Sequence, residues 1–197
     1  ETLYMLGISE GEDSWTFDNH LRLYDEDNLG YAGVADVNSP WGYQIAIEDG
    51  NWGDVYKLGE GDANAGTLAF GTENNIPAPD GGLYFFDVSL KALTYKLTAL
   101  GSEIYVAGLN KLEDETWTFE PLPAATTAGV FSGSITITQP SAWGFKIYLF
   151  DNNWDYVYGG NGGKLYYKGN GITDDATLAP GTYTLTVDLI HATYTIE

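Results

Sequence analysis

The chain has 197 residues, no cysteine, and 28 acidic against 8 basic side chains, for a net charge of −20. That balance argues against nucleic acid and anionic lipid surfaces as partners, since both are bound through Lys and Arg. With 44% hydrophobic and 15% aromatic residues the chain still carries enough apolar material for packed cores. No disulfide or thiol chemistry is open to it, and no apolar run nears the ~20 residues of a membrane-spanning helix.

The chain begins directly in the strand-like Thr2-Leu3-Tyr4-Met5-Leu6, with no signal peptide. It is expected to be the mature, C-terminal piece of a protein whose export signal has been removed. Glu12-Asp13-Ser14-Trp15-Thr16-Phe17-Asp18 then sets Trp15 among carboxylates, either at a loop rim or packed into the core. In Trp41-Gly42-Tyr43-Gln44-Ile45-Ala46-Ile47, alternation puts Trp41, Tyr43, Ile45 and Ile47 on the core face and Gln44 on the other. The turn signal Asp49-Gly50-Asn51 leads into Trp52. Beyond it Val55 is the natural inward residue, which turns Trp52 and Tyr56 outward.

Past residue 100 the chain repeats itself. Trp117, Trp143 and Trp154 follow Trp15, Trp41 and Trp52 by 102 positions each, and their flanks match in chemistry. Asp114-Glu115-Thr116-Trp117-Thr118-Phe119-Glu120 answers the first acidic segment, and Trp143-Gly144-Phe145-Lys146-Ile147 answers Trp41 to Ile45. Near the ends the offset falls to 99, so that Tyr84 and Val88 match Tyr183 and Val187. This is a tandem duplication. It predicts two domains, 1–100 and 101–197, each of a usual size for an independent core. Only a few linker residues lie between Leu97 and Ile104, so limited freedom between the domains is expected.

In the second copy strands are predicted at Glu103–Ala107, Thr116–Leu122, Val130–Thr138, Gly144–Phe150, Tyr156–Tyr158, Lys164–Lys168, Thr182–Leu189 and Thr193–Ile196. They are short, rich in Val, Ile, Thr, Tyr and Phe, and separated by Gly, Asn, Asp and Pro. The first copy follows the same plan. The fold class is all-β: two tandem antiparallel β-sandwich domains of the immunoglobulin-like, carbohydrate-binding-module kind. Alternation puts Trp143, Phe145, Ile147 and Leu149 in the core, with Lys146 and Tyr148 facing away. After Asp151-Asn152-Asn153, it turns Trp154, Tyr156 and Tyr158 outward and Val157 inward. An outward row of aromatic rings is an exposed apolar patch of the kind that has a use; the other reading packs these rings under a neighbouring loop.

Outward rings, a cation and amides together suggest sugar. The C–H face of a pyranose packs against an electron-rich indole, while Lys146 and Asn153 can hydrogen-bond its hydroxyls. No catalytic residues are assigned. The duplicated acids Glu12/Asp114, Asp13/Glu115, Asp18/Glu120 and Asp49/Asp151 read as solvated or turn-stabilising rather than as the spaced pair of a glycosidase. His20 and His191 do not match each other between copies. Asp151, Asn152 and Asn153 lack a full calcium-loop pattern, so no metal and no cofactor is expected.

The order Ile104-Tyr105-Val106-Ala107-Gly108, Trp117, Gly144-Phe145-Lys146-Ile147, Asn153-Trp154 with Tyr158-Gly159, Gly181-Thr182-Tyr183 with Val187-Asp188-Leu189, and Thr193-Tyr194-Thr195 resembles the repeated C-terminal modules of the SusE/SusF-type outer-membrane starch-binding proteins of Bacteroidetes. The resemblance spans both copies. It implies a non-catalytic surface lipoprotein that holds starch-like α-glucan beside an outer-membrane glycan importer. It implies sites built from an aromatic pair and a basic residue, here Trp117, Lys146 and Trp154 with Asn153 and Tyr158. In the first copy these become Trp15, Gln44 and Trp52 with Asn51 and Tyr56, where Gln44 departs from the pattern. The lipidated N-terminal cysteine and leading domain of such proteins are absent from this sequence, and a monomer is expected. The alternatives are an adhesin-like tandem sandwich that contacts another protein, and a glycoside hydrolase fragment.

Overall fold

The structure, a computed structural model, describes residues 1–9 and 15–197. Glu12 and Asp13, two of the duplicated acids, lie outside the described residues. Half of the chain is strand and 3% helix, so the protein is all-β. The chain divides into two compact units, Glu1–Leu100 and Gly101–Glu197. Among the described residues, no helix is long and apolar enough to cross a membrane.

The first unit comprises β1 (Thr2–Leu6), β2 (His20–Asp25), β3 (Gly30–Val37), β4 (Gln44–Ala46), β5 (Val55–Gly61), β6 (Ala65–Phe70), β7 (Gly82–Ser89) and β8 (Thr94–Ala99). All neighbours are antiparallel, in the order β1-β2-β3-β7-β8-β6-β5-β4. β4 then returns to β1, with Tyr4 opposite Ala46 and Met5 opposite Ile45, and closes the circuit into a barrel. A sandwich reading expects two separate sheets; the hydrogen bonds of this unit instead run in one ring. Among the described residues of this unit, closure leaves no edge strand exposed.

The second unit comprises β9 (Glu103–Ala107), β10 (Phe119–Pro123), β11 (Val130–Ile137), β12 (Lys146–Tyr148), β13 (Val157–Asn161), β14 (Lys164–Tyr167), β15 (Gly181–Asp188) and β16 (Thr193–Ile196). Its order, β10-β9-β12-β13-β14-β16-β15-β11, is the same circuit cut at one seam. In the first unit β2 pairs with β3 there, Arg22 opposite Ala32 and Leu23 opposite Tyr31. In the second, a single bridge joins Ala124 to Phe131.

The cause of the cut lies in two residues. His20 and Arg22 face Tyr4 and Thr2 across the β1–β2 pair. Pro121 and Pro123 occupy the matching places opposite Tyr105 and Glu103. Leu23 and Ala124 send their N–H groups back toward the first strand of their unit, to Glu1 and Ser102 carbonyls. The preceding residues, Arg22 and Pro123, therefore face the seam. Proline has no N–H to give, so β10 can only be an edge.

Each unit buries apolar side chains on both faces of β1 or its counterpart. In the first unit the main core holds Leu3, Met5, Leu21, Tyr43, Ile45, Phe86 and Tyr95. A smaller cluster of Leu6, Ala46 and Val55 lies apart from it, covered by Tyr4, Trp15 and Phe17. Val55 is thus buried, but in this satellite cluster. It is the cover of the satellite, not the main core, that positions the tryptophans.

Candidate functional site

In the second unit Phe119, Ala107 and Lys146 sit opposite one another across β10, β9 and β12, and Pro121, Tyr105 and Tyr148 form the next row. These rows share one face of the sheet because paired residues point the same way. Tyr148 is buried there, and its hydroxyl pKa is pushed up to about 12 by that burial. Phe119 packs on Tyr148 with ring centroids 4.7 Å apart. Trp154, which follows the β12–β13 turn, leans edge-on against Tyr148 at 5.4 Å and against Phe119 at 5.2 Å. Trp117 meets Trp154 edge-to-face at 5.5 Å. The result is a four-ring stack whose outermost indole, Trp154, remains 51% exposed. Lys146 is half-buried on the same face.

Trp117 is held on two further sides. The ring edge presses on Gly108, where an added Cβ would stand 2.5 Å from the indole. Above the ring, the Lys111 ammonium lies 5.2 Å from its centroid. Lys111 is itself buried and donates to the Leu112 and Glu113 carbonyls at 2.9 and 3.3 Å. Sequence reasoning missed Lys111, which lies outside the matched blocks. It also gave no role to Phe17 and Phe119, although both recur two positions after the matched Trp15 and Trp117.

The first unit rebuilds the same device. Phe17 meets Trp52 edge-on at 5.0 Å, Tyr4 backs Phe17 at 5.8 Å, and Trp52 is 53% exposed. Trp15 presses on Gly7 as Trp117 does on Gly108. His20 Nε2 donates to the Phe17 carbonyl at 2.9 Å and fixes the loop. Gln44 occupies the place of Lys146, and its Nε2 donates to Asn75 Oδ1 at 2.8 Å.

The amides after the turns are structural anchors. Asn51 donates to Glu48 and Asp54 and accepts from the Gly53 N–H, while Asn153 accepts from the Asp155 N–H. Tyr158 and Tyr56 do not face outward with the tryptophans. Tyr158 pairs with Ile147 and is buried; Tyr56 pairs with Ile45 and packs against the main core. The hairpin shifts the phase between Trp154 and β13, so alternation counted through the turn assigns the wrong face.

Trp41 and Trp143 correct a second expectation. They are not core residues but are 73% and 60% exposed. Each precedes a glycine in the left-handed region, Gly42 at φ +79° and Gly144 at φ +71°. That backbone breaks the two-residue period. The core face begins after it, at Tyr43 and Phe145, both buried. Ile47, also expected inside, is exposed, whereas Leu149 is buried.

A polar cleft of about 600 Å³ opens at one end of the proline seam, among Asn110, Lys111, Thr118, Glu120, Thr138 and Gln139. The Asn110 side chain clamps the loop after β9 to the end of β11, donating to the Thr136 carbonyl and accepting from the Thr138 N–H, both at 2.7 Å. Among the described residues, no three His, Cys, Asp or Glu side chains gather as a metal site. Asp18, Asp49, Asp114, Glu115, Glu120 and Asp151 are all exposed.

Residues 1–99 match the family model described as Domain of unknown function (DUF8037). The chain belongs to this family. The matched span covers half of the chain and coincides with the first unit, including Trp15, Trp41 and Trp52. No curated protein and no solved structure matches the chain.

Proposed function

We propose that the protein is a non-catalytic glycan-binding protein that takes a neutral, starch-like α-glucan on Trp154 and Trp117 of the second unit and on Trp52 and Trp15 of the first. The observation that carries this reading is the repeated half-exposed indole. In both units a partly buried phenylalanine holds a tryptophan edge-on while leaving half of it open to solvent. A ring needed only for packing would be covered; a ring fixed in place and left open is a preformed stacking surface. In the second unit Lys146 stands on the same face and supplies three donors for ring hydroxyls. On this reading each unit is a carbohydrate-binding module built on the observed circuit of strands. The whole works at the cell surface beside an outer-membrane glycan importer, as a monomer and without hydrolysis.

Affinity electrophoresis of the full chain through gels containing starch, other α-glucans, β-glucans, xylan or mannan tests it. Retardation by α-glucan is expected, with affinity of roughly −4 to −8 kcal/mol, micromolar to millimolar. No retardation in any gel overturns the glycan reading. Release of reducing ends by the purified chain overturns its non-catalytic half.

A further inference from the structure

Trp41 and Trp143 are the most exposed of the large apolar side chains, and neither takes part in the aromatic stacks described above. Among the described residues, no ring packs against either. Yet the backbone beneath them is fixed. Tyr43 and Ile76 exchange backbone hydrogen bonds at 2.8 and 3.0 Å, and Phe145 and Ile172 do so at 3.0 and 2.7 Å. The intervening glycines admit no side chain: a Cβ on Gly144 would stand 2.6 Å from the Ile172 carbonyl oxygen. In the second unit Ser141, two residues before Trp143, donates from its N–H and its hydroxyl to the buried Asp175 carboxylate at 3.0 and 2.7 Å. In the first, Asn75 donates to the Trp41 carbonyl at 3.5 Å and accepts from Gln44. A rigid turn that exposes a bare indole, built twice by different means, is not a packing accident.

The turn also adjoins the stacking surface proposed above. Gly108 is squeezed between the Trp117 ring edge and the Gly144 carbonyl, so that its Cβ would stand 2.5 Å from the ring and 3.0 Å from that oxygen. Gly7 is squeezed in the same way between Trp15 and Gly42. One backbone thickness therefore separates each inner indole from the turn that carries Trp143 or Trp41.

We propose that Trp143, and Trp41 in the first unit, are further stacking residues that take a second stretch of the same neutral glycan chain. This extends each site past Trp117 or Trp15. The inference rests on the glycan reading. The surroundings favour a sugar ring over a protein side: a protein hot spot needs a ring of surrounding contacts that excludes water. The Trp143 backbone instead lies beside Ala142, Gly144 and Gly171, and the Trp41 backbone beside Gly42 and the Asn75–Gln44 amide pair. With no bulky side chain at these backbone positions and most of each ring exposed, the indole is open to a flat C–H surface, and amides offer partners to hydroxyls.

The test is calorimetry on the full chain with a trisaccharide and a heptasaccharide of α-1,4-linked glucose. The double variant Trp41→Ala/Trp143→Ala is compared with Trp52→Ala/Trp154→Ala. The first pair is expected to leave the trisaccharide affinity unchanged and to weaken the heptasaccharide about tenfold; the second pair loses both ligands. An unchanged heptasaccharide affinity in Trp41→Ala/Trp143→Ala overturns the extension and leaves the glycan reading standing. Equal weakening of both ligands also overturns it, because the rings would then belong to the primary subsite. No binding of either sugar by the unmodified chain overturns the glycan reading itself. Circular dichroism and melting curves of the variants, expected to match the parent, keep an altered fold from imitating the result.

Discussion

Phe119 stands edge-on to Trp154, with ring centroids 5.2 Å apart and planes at 86°, and Phe17 repeats this against Trp52 at 5.0 Å and 78°. The edge of one ring is positive and the face of the other negative, which makes such a pair worth about 0.5–1.5 kcal/mol beyond the area it buries. The inner ring is partly buried, Phe119 at the start of β10 and Phe17 in the loop before β2, and the outer one is half in solvent. The pair thus limits the freedom of an exposed tryptophan before any ligand arrives, which lowers the ordering cost of binding.

Trp154→Ala is expected to abolish binding at the second unit while leaving it folded. Phe119→Ala is expected to weaken binding less, by releasing Trp154, and to destabilise the unit more. Affinity gels read the first effect and urea unfolding the second. An unfolded Trp154→Ala protein would show that the ring is structural.

Trp143→Ala is expected to change stability by no more than about 0.5 kcal/mol, as for exposed positions generally. Phe145→Ala, two residues along and fully buried, is expected to cost roughly 3–5 kcal/mol. Denaturant midpoints of the two variants check the order, and the reverse order would contradict the exposure of Trp143.

Lys146→Gln, measured with the first unit silenced by Trp52→Ala, is expected to weaken oligosaccharide binding at the second unit. Gln44 stands at the equivalent place with its Nε2 already committed to Asn75, so the first unit is expected to be the weaker one. Because the ligand is neutral, affinity should not fall as salt is raised. A steep salt dependence would point to a charged ligand.

Arg22→Pro is expected to open the seam of the first unit, since the register places that residue beside Ala32 of β3. One ladder hydrogen bond is lost and its acceptor left without a partner, at a cost of about 1–3 kcal/mol. Hydrogen exchange should then quicken in β2 and β3 and leave the second unit unchanged. Unaltered protection in β3 would refute the proline account of the cut circuit.

Tyr148 and Tyr95 both have their pKa pushed up to about 12, Tyr148 by burial and Tyr95 by burial and then by Asp62. Their folded values lie above the unfolded value near 10, so the fold favours the protonated forms. The stability they lend is whole below pH ~10 and is lost as pH rises from there through about 12. Tyrosinate absorbance should therefore rise late, together with unfolding. Complete ionisation of every tyrosine near pH ~10 in a still-folded chain would contradict this.

The sequence by itself determined the duplication, the all-β class and most of the strands. Residues Glu103–Ala107 and Thr193–Ile196 form strands as their β-branched and aromatic residues predict. The seam between β10 and β11 was not read from the sequence: only the strand registers show that Pro121 and Pro123 stand where the first unit has His20 and Arg22, and a proline's missing N–H then explains the cut. Alternation failed where the chain changed phase. A left-handed glycine separates Trp143 from Phe145, and a hairpin separates Trp154 from Tyr158; neither carries the two-residue period across. Only the tertiary structure decided that Trp41 and Trp143 are open, that Tyr158 is core, and that Lys111 and Phe119 flank the platform. The physical reason is that periodicity tells which residues share a face. What covers that face comes from chain far away in sequence, as Asp175 does for Ser141 and Ile172 for Phe145.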